Sequence, residues 1–320
     1  MEETTMEQYN KEWYGKKASV IEEAEDYTVI DYGCNGTGIV TCYYLFDGVQ
    51  LCFLDFDTDD VFPSQKFHPD IIQITHCETG RYECEFSNHT VSYLPEGYFG
   101  VAGTKYLPYS FSFPLKKCYA VSLVIDKQAL STETRAMMET IPVDLVHMGE
   151  TLDIEQRWYL SQTPEKLQHL FSEIYSAKRV EAVGYFKIKA LELLYHIDQL
   201  THNRGCDFKY FDKGQIQLTK KIRDEMISHL ETKLSLEELT RKEKINPALF
   251  HTIFHQIYGD TPYAYLKKYK MNLAAQKLLE EKEKIGDIAV ELGYSNASKF
   301  AKAFRSVYGV LPKDYRKNKK

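Results

Sequence analysis

The chain has 320 residues, which is long enough for two domains that each bury a hydrophobic core. It contains no apolar run of about eighteen residues, and its first stretch, MEETTMEQYNKEWYGKK, is polar and acidic. We therefore expect neither a membrane span nor a secretory signal, and we predict a cytoplasmic protein. The seven cysteines include no C-x-x-C pair, which favours reduced thiols over a disulfide framework or a zinc site.

The net charge of −6 conceals an uneven distribution along the chain. From Lys213 to the end there are 22 Lys and Arg residues against 13 Asp and Glu, a net charge of +9. The first 212 residues hold 18 basic and 33 acidic residues, a net charge of −15. A basic carboxyl-terminal third favours a polyanionic partner for that part, with simple solubility of each part as the alternative.

Residues 28 to 126 contain many short segments rich in Val, Ile, Tyr, Phe and Thr, such as VQLCFLDF and YAVSLVID. Turn residues such as DG at 47–48 and ETG at 78–80 separate these segments. Short strands at this spacing predict an all-β sandwich or barrel, which we assign to residues 1–150.

Helical periodicity is predicted from Ile154 onward and defines a segment over 151–204. In GYFKIKALELLYHIDQL the apolar residues are spaced by alternating fours and threes, a seam of about two heptads. Such a seam packs either on the chain's own β-domain or against a second copy of the chain, and the sequence leaves both alternatives open. For a homodimer, the predicted contacts are Leu167, Leu170, Phe171, Phe186, Ala190, Leu193 and Ile197.

Residues 205–214 combine glycine with mixed charge and are predicted to form a linker, followed by an all-α domain over 215–320. That domain contains an internal repeat in which five residue types recur at one offset. The pairs are Phe250/Phe300, Phe254/Phe304, Gly259/Gly309, Pro262/Pro312 and Tyr265/Tyr315. The repeat predicts two similar supersecondary units.

Each unit is predicted to be a helix-turn-helix. In the second unit, Gly293 follows a short apolar stripe where a positive φ is expected, and Ser295 is the expected N-cap of the next helix. In the first unit, Asn246 is the expected cap. Phe300 faces the core, whereas Lys302 lies on the opposite side of the same helix.

A helical stretch of about twenty residues joins the two units. At about 1.5 Å per residue it would hold them about 30 Å apart, close to the roughly 34 Å of one turn of B-DNA. We therefore expect both outward helices to enter successive major grooves of one duplex. Plain solvation is the alternative explanation for polar faces, but neither of these faces carries an acidic residue.

The run IGDIAVELGYSNASKFAKAFRSVYGVLPKDYRK, at 285–317, resembles the second helix-turn-helix signature of the AraC/XylS family of bacterial transcription regulators. SLEEL, FHTIFHQIYGDTPYAYLKKYKM and AAQKLL resemble the first unit and connecting helix of that family, although Lys244 stands where a turn glycine is usual. The resemblance implies an α+β multidomain protein: a cupin-like β-barrel and helices, then an all-α domain with two helix-turn-helix units joined by a long helix. It also implies an operator of double-stranded DNA and contact with RNA polymerase.

The resemblance further implies which residues contact DNA. Arginine and lysine reach phosphates or guanine, hydroxyls reach several bases, and alanine touches the thymine methyl group. The base-reading positions correspond to Ala248, His251, Thr252, Ala297, Ser298, Ala301 and Lys302. Asn296 and the phosphate-binding residues His255, Lys299 and Arg305 complete the set, with the KNKK tail.

The stretch DIIQITHCETGRYECEF resembles part of the cupin-like sensory domains that precede such DNA-binding domains, which implies a small-molecule effector and control of dimerisation. Ile72, Ile74 and His76 share one strand face and are the candidate effector contacts, with a satisfied interior histidine as the alternative for His76. Metal-binding cupins need an H-x-H pair, so we predict no metal, no cofactor and no enzymatic activity. A β-domain that binds no small molecule and acts only in dimerisation or protein interaction is the other alternative.

Overall fold

The structure is a computed structural model in which two compact units are distinguished, residues 1–210 and residues 211–320. The residues that it describes are 17–63, 70–86, 88–141, 143–177, 182–200, 210–231, 235–280 and 283–318. The predicted fold class, a β-rich amino-terminal part followed by an all-α carboxyl-terminal part, is confirmed.

Antiparallel strands dominate the described part of the first unit. The strands are β1 (Ser19–Glu23), β2 (Tyr27–Asp31), β3 (Gly36–Phe46), β4 (Val49–Thr58), β5 (Phe62–Pro63), β6 (Ile71–Glu85), β7 (Thr90–Pro95), β8 (Tyr98–Gly103), β9 (Ser110–Ser112), β10 (Lys117–Asp126) and β11 (Tyr159–Gln162). The main path of pairing runs β1-β2-β3-β4-β10-β6-β7, while β8 pairs with β6 and β11, and β9 pairs with β6 and β5.

The long strand β6 curves the sheet into a half-barrel. Its first part pairs with β10 and β8, and its second part pairs with β7 and β9. Gly80 lies between the two parts with a φ of 87°, and a Cβ there would lie 1.9 Å from the carbonyl oxygen of Lys117. Only glycine fits this position, because both the backbone conformation and the close approach exclude a side chain.

Alternation of side chains gives this sheet two buried faces. The inner core lies between strands and contains residues such as Ile30, Phe56 and Ala120. The helix-covered core lies on the other face and combines strand residues such as Leu123 with helix residues such as Phe171. Because successive residues of a strand point to opposite faces, Ile71 and Cys77 join the inner core while Ile72 and Ile74 join the helix-covered core.

Four described α-helices belong to the first unit. They are α1 (Thr132–Thr140), α2 (Leu145–Leu152), α3 (Glu165–Ser176) and α4 (Ala182–Asp198). Helix α1 starts after the N-cap Ser131 and helix α2 after the N-cap Asp144, whose side chains accept backbone N–H groups. The prediction of an all-β segment to residue 150 is therefore wrong from Thr132 onward. Strand β11 likewise lies inside the segment that is predicted to be helical.

The helical seam of the first unit packs on the chain's own sheet. Phe171, Phe186 and Leu193 are each at most 1% exposed and contact strand residues of the helix-covered core. This burial corrects the assignment of the seam as a dimer contact, because the seam is already filled by the sheet and has no surface left for a partner. The residues affected are Leu167, Leu170, Phe171, Phe186, Ala190, Leu193 and Ile197.

The second unit is helical except for a two-residue strand at its start, β12 (Phe211–Asp212). Its helices are α5 (Lys213–Ser228), α6 (Leu236–Lys242), α7 (Pro247–Tyr258), α8 (Pro262–Glu280), α9 (Ile285–Glu291), α10 (Ala297–Tyr308) and α11 (Pro312–Asn318). Helix α5 begins at Lys213, two residues before the expected start of the domain, and residues 205–209 of the predicted linker lie outside the described residues. None of the helices within the described residues has both the length and the apolar character that crossing a bilayer requires.

Candidate nucleic-acid interface

The predicted repeat is reproduced in the side-chain packing of the second unit. In the first helix-turn-helix, the ring centroids of Phe254, Tyr258 and Tyr265 form a triangle with sides of 4.6, 5.5 and 4.9 Å. The rings fifty positions later form a triangle with sides of 4.8, 5.3 and 5.1 Å. Both recurring glycines end a helix in the left-handed conformation, with φ of 76° at Gly259 and 75° at Gly309.

The first helix-turn-helix consists of α6, a short turn and α7. Asn246 caps α7 by accepting hydrogen bonds from the backbone N–H groups of Ala248 and Leu249, at 2.9 and 3.2 Å, and Pro247 occupies the first turn. Lys244 in the turn has a φ of 55°, so it adopts the left-handed conformation that glycine usually provides. The expected cap is confirmed, and the turn keeps its shape at the expense of backbone strain.

The outward face of α7 is polar, small and free of acidic residues. Ala248, His251 and His255 are exposed, and Thr252 is half-buried with its hydroxyl donating to the carbonyl oxygen of Ala248 at 3.0 Å. The opposite face is fully buried and consists of Phe250, Ile253, Phe254 and Ile257. The structure therefore brings the four predicted contact residues of the first helix-turn-helix onto one solvent-facing surface.

The second helix-turn-helix of this domain consists of α9, a tight turn and α10. Gly293 has the expected positive φ, 77°, and a Cβ there would lie 2.4 Å from the carbonyl oxygen of Leu230. The N-cap of α10 is Asn296, whose side chain accepts from the N–H of Lys299 at 2.8 Å. The prediction of Ser295 as the N-cap is wrong. The turn at Gly293 places the start of α10 at Ala297, so Ser295 lies one residue before the N-cap position.

The outward face of α10 is strongly cationic. Ala297, Ser298, Lys299, Lys302 and Arg305 are exposed, and Ala301 is half-buried between them. Phe300 and Phe304 on the opposite face are completely buried. Together with Asn296 at the start of the helix, the predicted contact residues of the second helix-turn-helix lie on or beside one surface. The last two lysines of the KNKK tail lie outside the described residues.

The cations on α10 differ from several others in the same unit, which are paired with carboxylates. Lys242 pairs with Glu225, and Lys277 pairs with Glu291 at 2.8 Å. Among the described residues, neither Lys302 nor Arg305 has an ion-pair partner, and the Nζ atom of Lys299 contacts only the Ser295 hydroxyl, at 3.4 Å. Uncompensated cations beside small side chains form a surface suited to a polyanion.

The two helix-turn-helix motifs both pack on helix α8. Its 19 residues extend over about 28 Å, and Met271, Ala274 and Leu278 are fully buried in the core of the second unit. Two polar side chains that the sequence patterns did not single out hold the aromatic triangles in place. Arg223 donates to the Tyr258 hydroxyl at 3.1 Å, and the Tyr308 hydroxyl donates to Asn272 at 3.0 Å. Single polar residues carry no periodic signal, so only the fold identifies them.

The candidate effector residues of the first unit lie on the helix-covered face of the sheet. Ile72 and Ile74 are buried there, and the ring of His76 stacks on Phe171 with centroids 4.1 Å apart. The Tyr175 hydroxyl donates to the carbonyl oxygen of His76 at 3.0 Å and lies 3.1 Å from its Nδ1. Burial lowers the pKa of His76 to about 4. These contacts are those of a satisfied interior histidine, the alternative noted from the sequence, rather than of a residue lining the inner core.

A family profile described as "Helix-turn-helix domain" matches residues 239–318. The probable transcriptional regulator LumQ of Photobacterium leiognathi is 31% identical over 107 residues, which cover 33% of this chain and 43% of LumQ. The regulatory protein SoxS of Escherichia coli is 30% identical over 92 residues, which cover 28% of this chain and 82% of SoxS. The first curated relatives are thus matched over less than half of their own length.

Among solved structures, ToxT from Vibrio cholerae is similar over 84% of this chain and 98% of its own, at 12% identity and a TM-score of 0.33. Within the described residues, no group of three or more His, Cys, Asp or Glu side chains is arranged to hold a metal ion.

Proposed function

This chain belongs to the AraC/XylS family of transcription regulators, and from this premise we propose that it binds double-stranded DNA through α7 and α10 under the control of a small-molecule effector. The proposal places α7 and α10 in successive major-groove segments of one operator. The protein acts in the cytoplasm, where it contacts RNA polymerase bound beside the operator.

The observation that carries this proposal is the duplicated exposed surface of the second unit. Two helices of identical length, each buried on its Phe-rich side, present faces without acidic residues. A merely solvated helix usually mixes both signs of charge, as α5 does with the exposed side chains of Lys221 and Asp224. Small side chains such as Ala248 and Ala297 allow close approach to base edges, and the neighbouring cations reach phosphates.

The proposal is tested by fluorescence anisotropy with the purified full-length chain and an operator duplex selected from a randomised pool. We expect a dissociation constant at least about a thousandfold lower for the selected duplex than for a scrambled one at moderate salt. We also expect the affinity to fall steeply as salt increases, because phosphate contacts release counterions. Equal affinity for selected and scrambled duplexes would exclude sequence-specific regulation.

Spacing within the operator tests whether both helices act on one duplex. Inserting about five base pairs between the two contacted segments turns one of them to the opposite side of the DNA. We expect this insertion, and also an insertion of a full turn of about ten base pairs, to reduce affinity to that of a single segment, because the continuous helix α8 fixes the distance between α7 and α10 as well as their direction. An unchanged affinity after the half-turn insertion would mean that only one unit reads DNA.

A homodimer is the second part of the proposal, and helix α4 supports it. Its sheet-facing side is buried, but Ile188 and Tyr195 on its outer side are 64% and 42% exposed. With Ile141 and Leu191 they line an apolar groove of about 540 Å³. Sedimentation of the full chain and of the Ile188→Glu variant tests this surface, since a dimer formed through it would dissociate in the variant.

The same groove favours a second candidate function, in which the first unit binds no small molecule and acts only in dimerisation or protein interaction. The two functions differ in what a ligand does to the purified chain. Effector control requires a compound that raises the thermal stability of the first unit and changes DNA affinity, because a ligand stabilises the state that binds it. A regulator without an effector shows neither change with any compound.

A further inference from the structure

A cavity of about 130 Å³ lies on the helix-covered face of the first unit, outside the inner core. It is bounded by strands β3, β4 and β10 and by the residues where α3 ends and α4 begins. Its lining residues are Ile39, Thr41, Tyr43, Phe53, Asp55, Tyr119, Tyr175, Ala177 and Phe186. We call this cavity the aromatic pocket, because more than half of these residues carry aromatic rings.

The five rings form a continuous chain around the aromatic pocket. Tyr43 lies 4.9 Å from Phe186 and 5.9 Å from Phe53, measured between ring centroids. Tyr175 lies 6.2 Å from Phe53 and 5.3 Å from Tyr119. Tyr43 and Phe186 are almost completely buried, whereas the other three rings are only half-buried and border the opening. Aromatic faces carry partial negative charge, so a group of rings around one space attracts a cation.

Asp55 supplies the formal charge at the mouth of the aromatic pocket. It is exposed on β4, directly between Ile39 of β3 and Tyr119 of β10 in the sheet register. The next two aspartates along the chain are paired, Asp57 with Lys117 at 3.3 Å and Asp59 with Lys116 at 3.0 Å. Asp55 has no hydrogen-bond or ion-pair partner among the described residues, and none of the residues lining the pocket is basic.

The surroundings of Tyr175 keep positive charge away from the pocket. Its hydroxyl is fixed by the backbone carbonyl of His76, and the His76 ring is held against Phe171. Because burial lowers the pKa of His76 to about 4, the imidazole is neutral near pH 7 and does not repel a bound cation. Burial also raises the pKa of Tyr175, so its ring stays a neutral phenol.

We propose that the aromatic pocket binds a small organic cation, a quaternary ammonium or a methylated amine, whose charged head lies among the rings beside the Asp55 carboxylate. The volume is close to that of the roughly 150 Å³ cavity that accommodates benzene, which suits a trimethylammonium head with a short arm. An anion is repelled by Asp55 and by the ring faces. An alkali or divalent metal ion would find a single carboxylate, too few oxygen ligands for its coordination shell.

The role of this cation as the effector rests on the proposed function, but its binding does not. Calorimetry of the full-length chain with choline, and with its uncharged carbon analogue 3,3-dimethylbutan-1-ol, separates charge from shape. We expect choline to bind at least about tenfold more tightly than the analogue, because only the charged head gains from the rings and the carboxylate. Equal affinities, or no binding of choline up to high millimolar concentration, would overturn the proposal.

Two matched variants locate the site. Asp55→Asn should weaken choline binding by about fivefold or more, whereas Asp57→Asn, with the same change in charge on the same strand, should leave it within about twofold. Tyr119→Leu removes a half-buried ring and should weaken binding by about threefold or more. Unchanged tryptophan fluorescence, to which the buried Trp158 contributes, and an unchanged circular dichroism spectrum in each variant show that the first unit is folded. Equal losses in the two aspartate variants would place the cation elsewhere.

Anisotropy with operator DNA, with and without saturating choline, keeps this proposal distinct from the proposed function. Choline binding that leaves DNA affinity unchanged supports the site and removes the cation from the control of transcription. Normal sequence-specific DNA binding by a chain that ignores choline overturns the aromatic pocket as a cation site and leaves the DNA-binding function intact.

Discussion

The two helix-turn-helix units of the second domain have nearly the same framework and very different surfaces. Their aromatic triangles agree within 0.2 Å on every side. On the outward faces, however, α7 offers His251 and His255 as its ionisable groups, whereas α10 offers two lysines and an arginine. The framework of each unit is therefore fixed by buried rings, and the exposed residues are free to differ.

This difference indicates a division of work between the units. Lysine and arginine keep their charge at neutral pH, whereas an imidazole is charged only when it is protonated. We expect α10 to provide most of the phosphate attraction and α7 to contribute more through hydrogen bonds and shape. Each prediction below changes corresponding positions in both units, so that one unit serves as the control for the other.

Removal of a framework ring should have the largest effect. Phe254→Ala and Phe304→Ala each delete a completely buried ring that touches two tyrosines, and each should lower the free energy of unfolding by about 3–5 kcal/mol. Urea unfolding followed by circular dichroism at 222 nm measures the loss. Similar values at both positions would sharpen the comparison, while a loss below about 1 kcal/mol at either would contradict a shared framework.

Removal of charge from the faces should produce the next largest effect, on DNA affinity rather than on stability. Lys302→Ala should relax base preference by about 1–3 kcal/mol at one position, and Arg305→Ala should weaken binding to all sequences and reduce the salt slope by about 1. His255→Ala, at the position equivalent to Arg305, is the matched control and should change the salt slope less. A larger change with His255→Ala than with Arg305→Ala would reverse the proposed division.

Exchange of the turn residues should change stability in opposite directions. Gly293→Ala should destabilise the second helix-turn-helix by about 2 kcal/mol, because a Cβ strains the left-handed backbone and meets the carbonyl oxygen of Leu230. Lys244→Gly relieves strain of the same kind and should stabilise the first helix-turn-helix by about 0.5–1 kcal/mol. Thermal unfolding of both variants measures the two shifts, and a stabilising Gly293→Ala would show that the turn is not strained.

Deletion of the caps should have the smallest effect. Asn246 accepts two backbone hydrogen bonds and Asn296 accepts one, so Asn246→Ala should cost about 1–2 kcal/mol and Asn296→Ala about 0.5–1 kcal/mol. The same denaturant titration ranks the two variants. A greater loss at Asn296 would mean that its side chain does more than cap α10.

The sequence is more informative about the second unit than about the first, for a physical reason. Helix periodicity, caps and turn glycines are local signals, so α7, α10 and their exposed faces are predictable without tertiary structure. The cap of α10 is the exception, because Ser295 and Asn296 are both suitable residues and the turn geometry decides between them. Strand β11 is four residues long and depends on pairing with β8, which lies far away along the chain.

The aromatic pocket lies beyond sequence-based prediction for the same reason. Its residues are distributed from Ile39 to Phe186 over three strands and the ends of two helices, and each ring alone resembles an ordinary core residue. Strand alternation correctly places Ile72, Ile74 and His76 on one face. Which of the two faces the helices cover depends on packing that no local pattern encodes.

Helix α8 makes the second unit sensitive to changes of length as well as of composition. Its 19 residues are continuous, Tyr265 near its start belongs to the first framework triangle, and Asn272 farther along accepts a hydrogen bond from Tyr308 of the second triangle. Insertion of one alanine at its middle would rotate everything beyond that point by about 100° and advance it by only about 1.5 Å. Side chains on either outward face can therefore be exchanged without moving the other face, whereas a change in the number of residues between the faces alters their relative orientation.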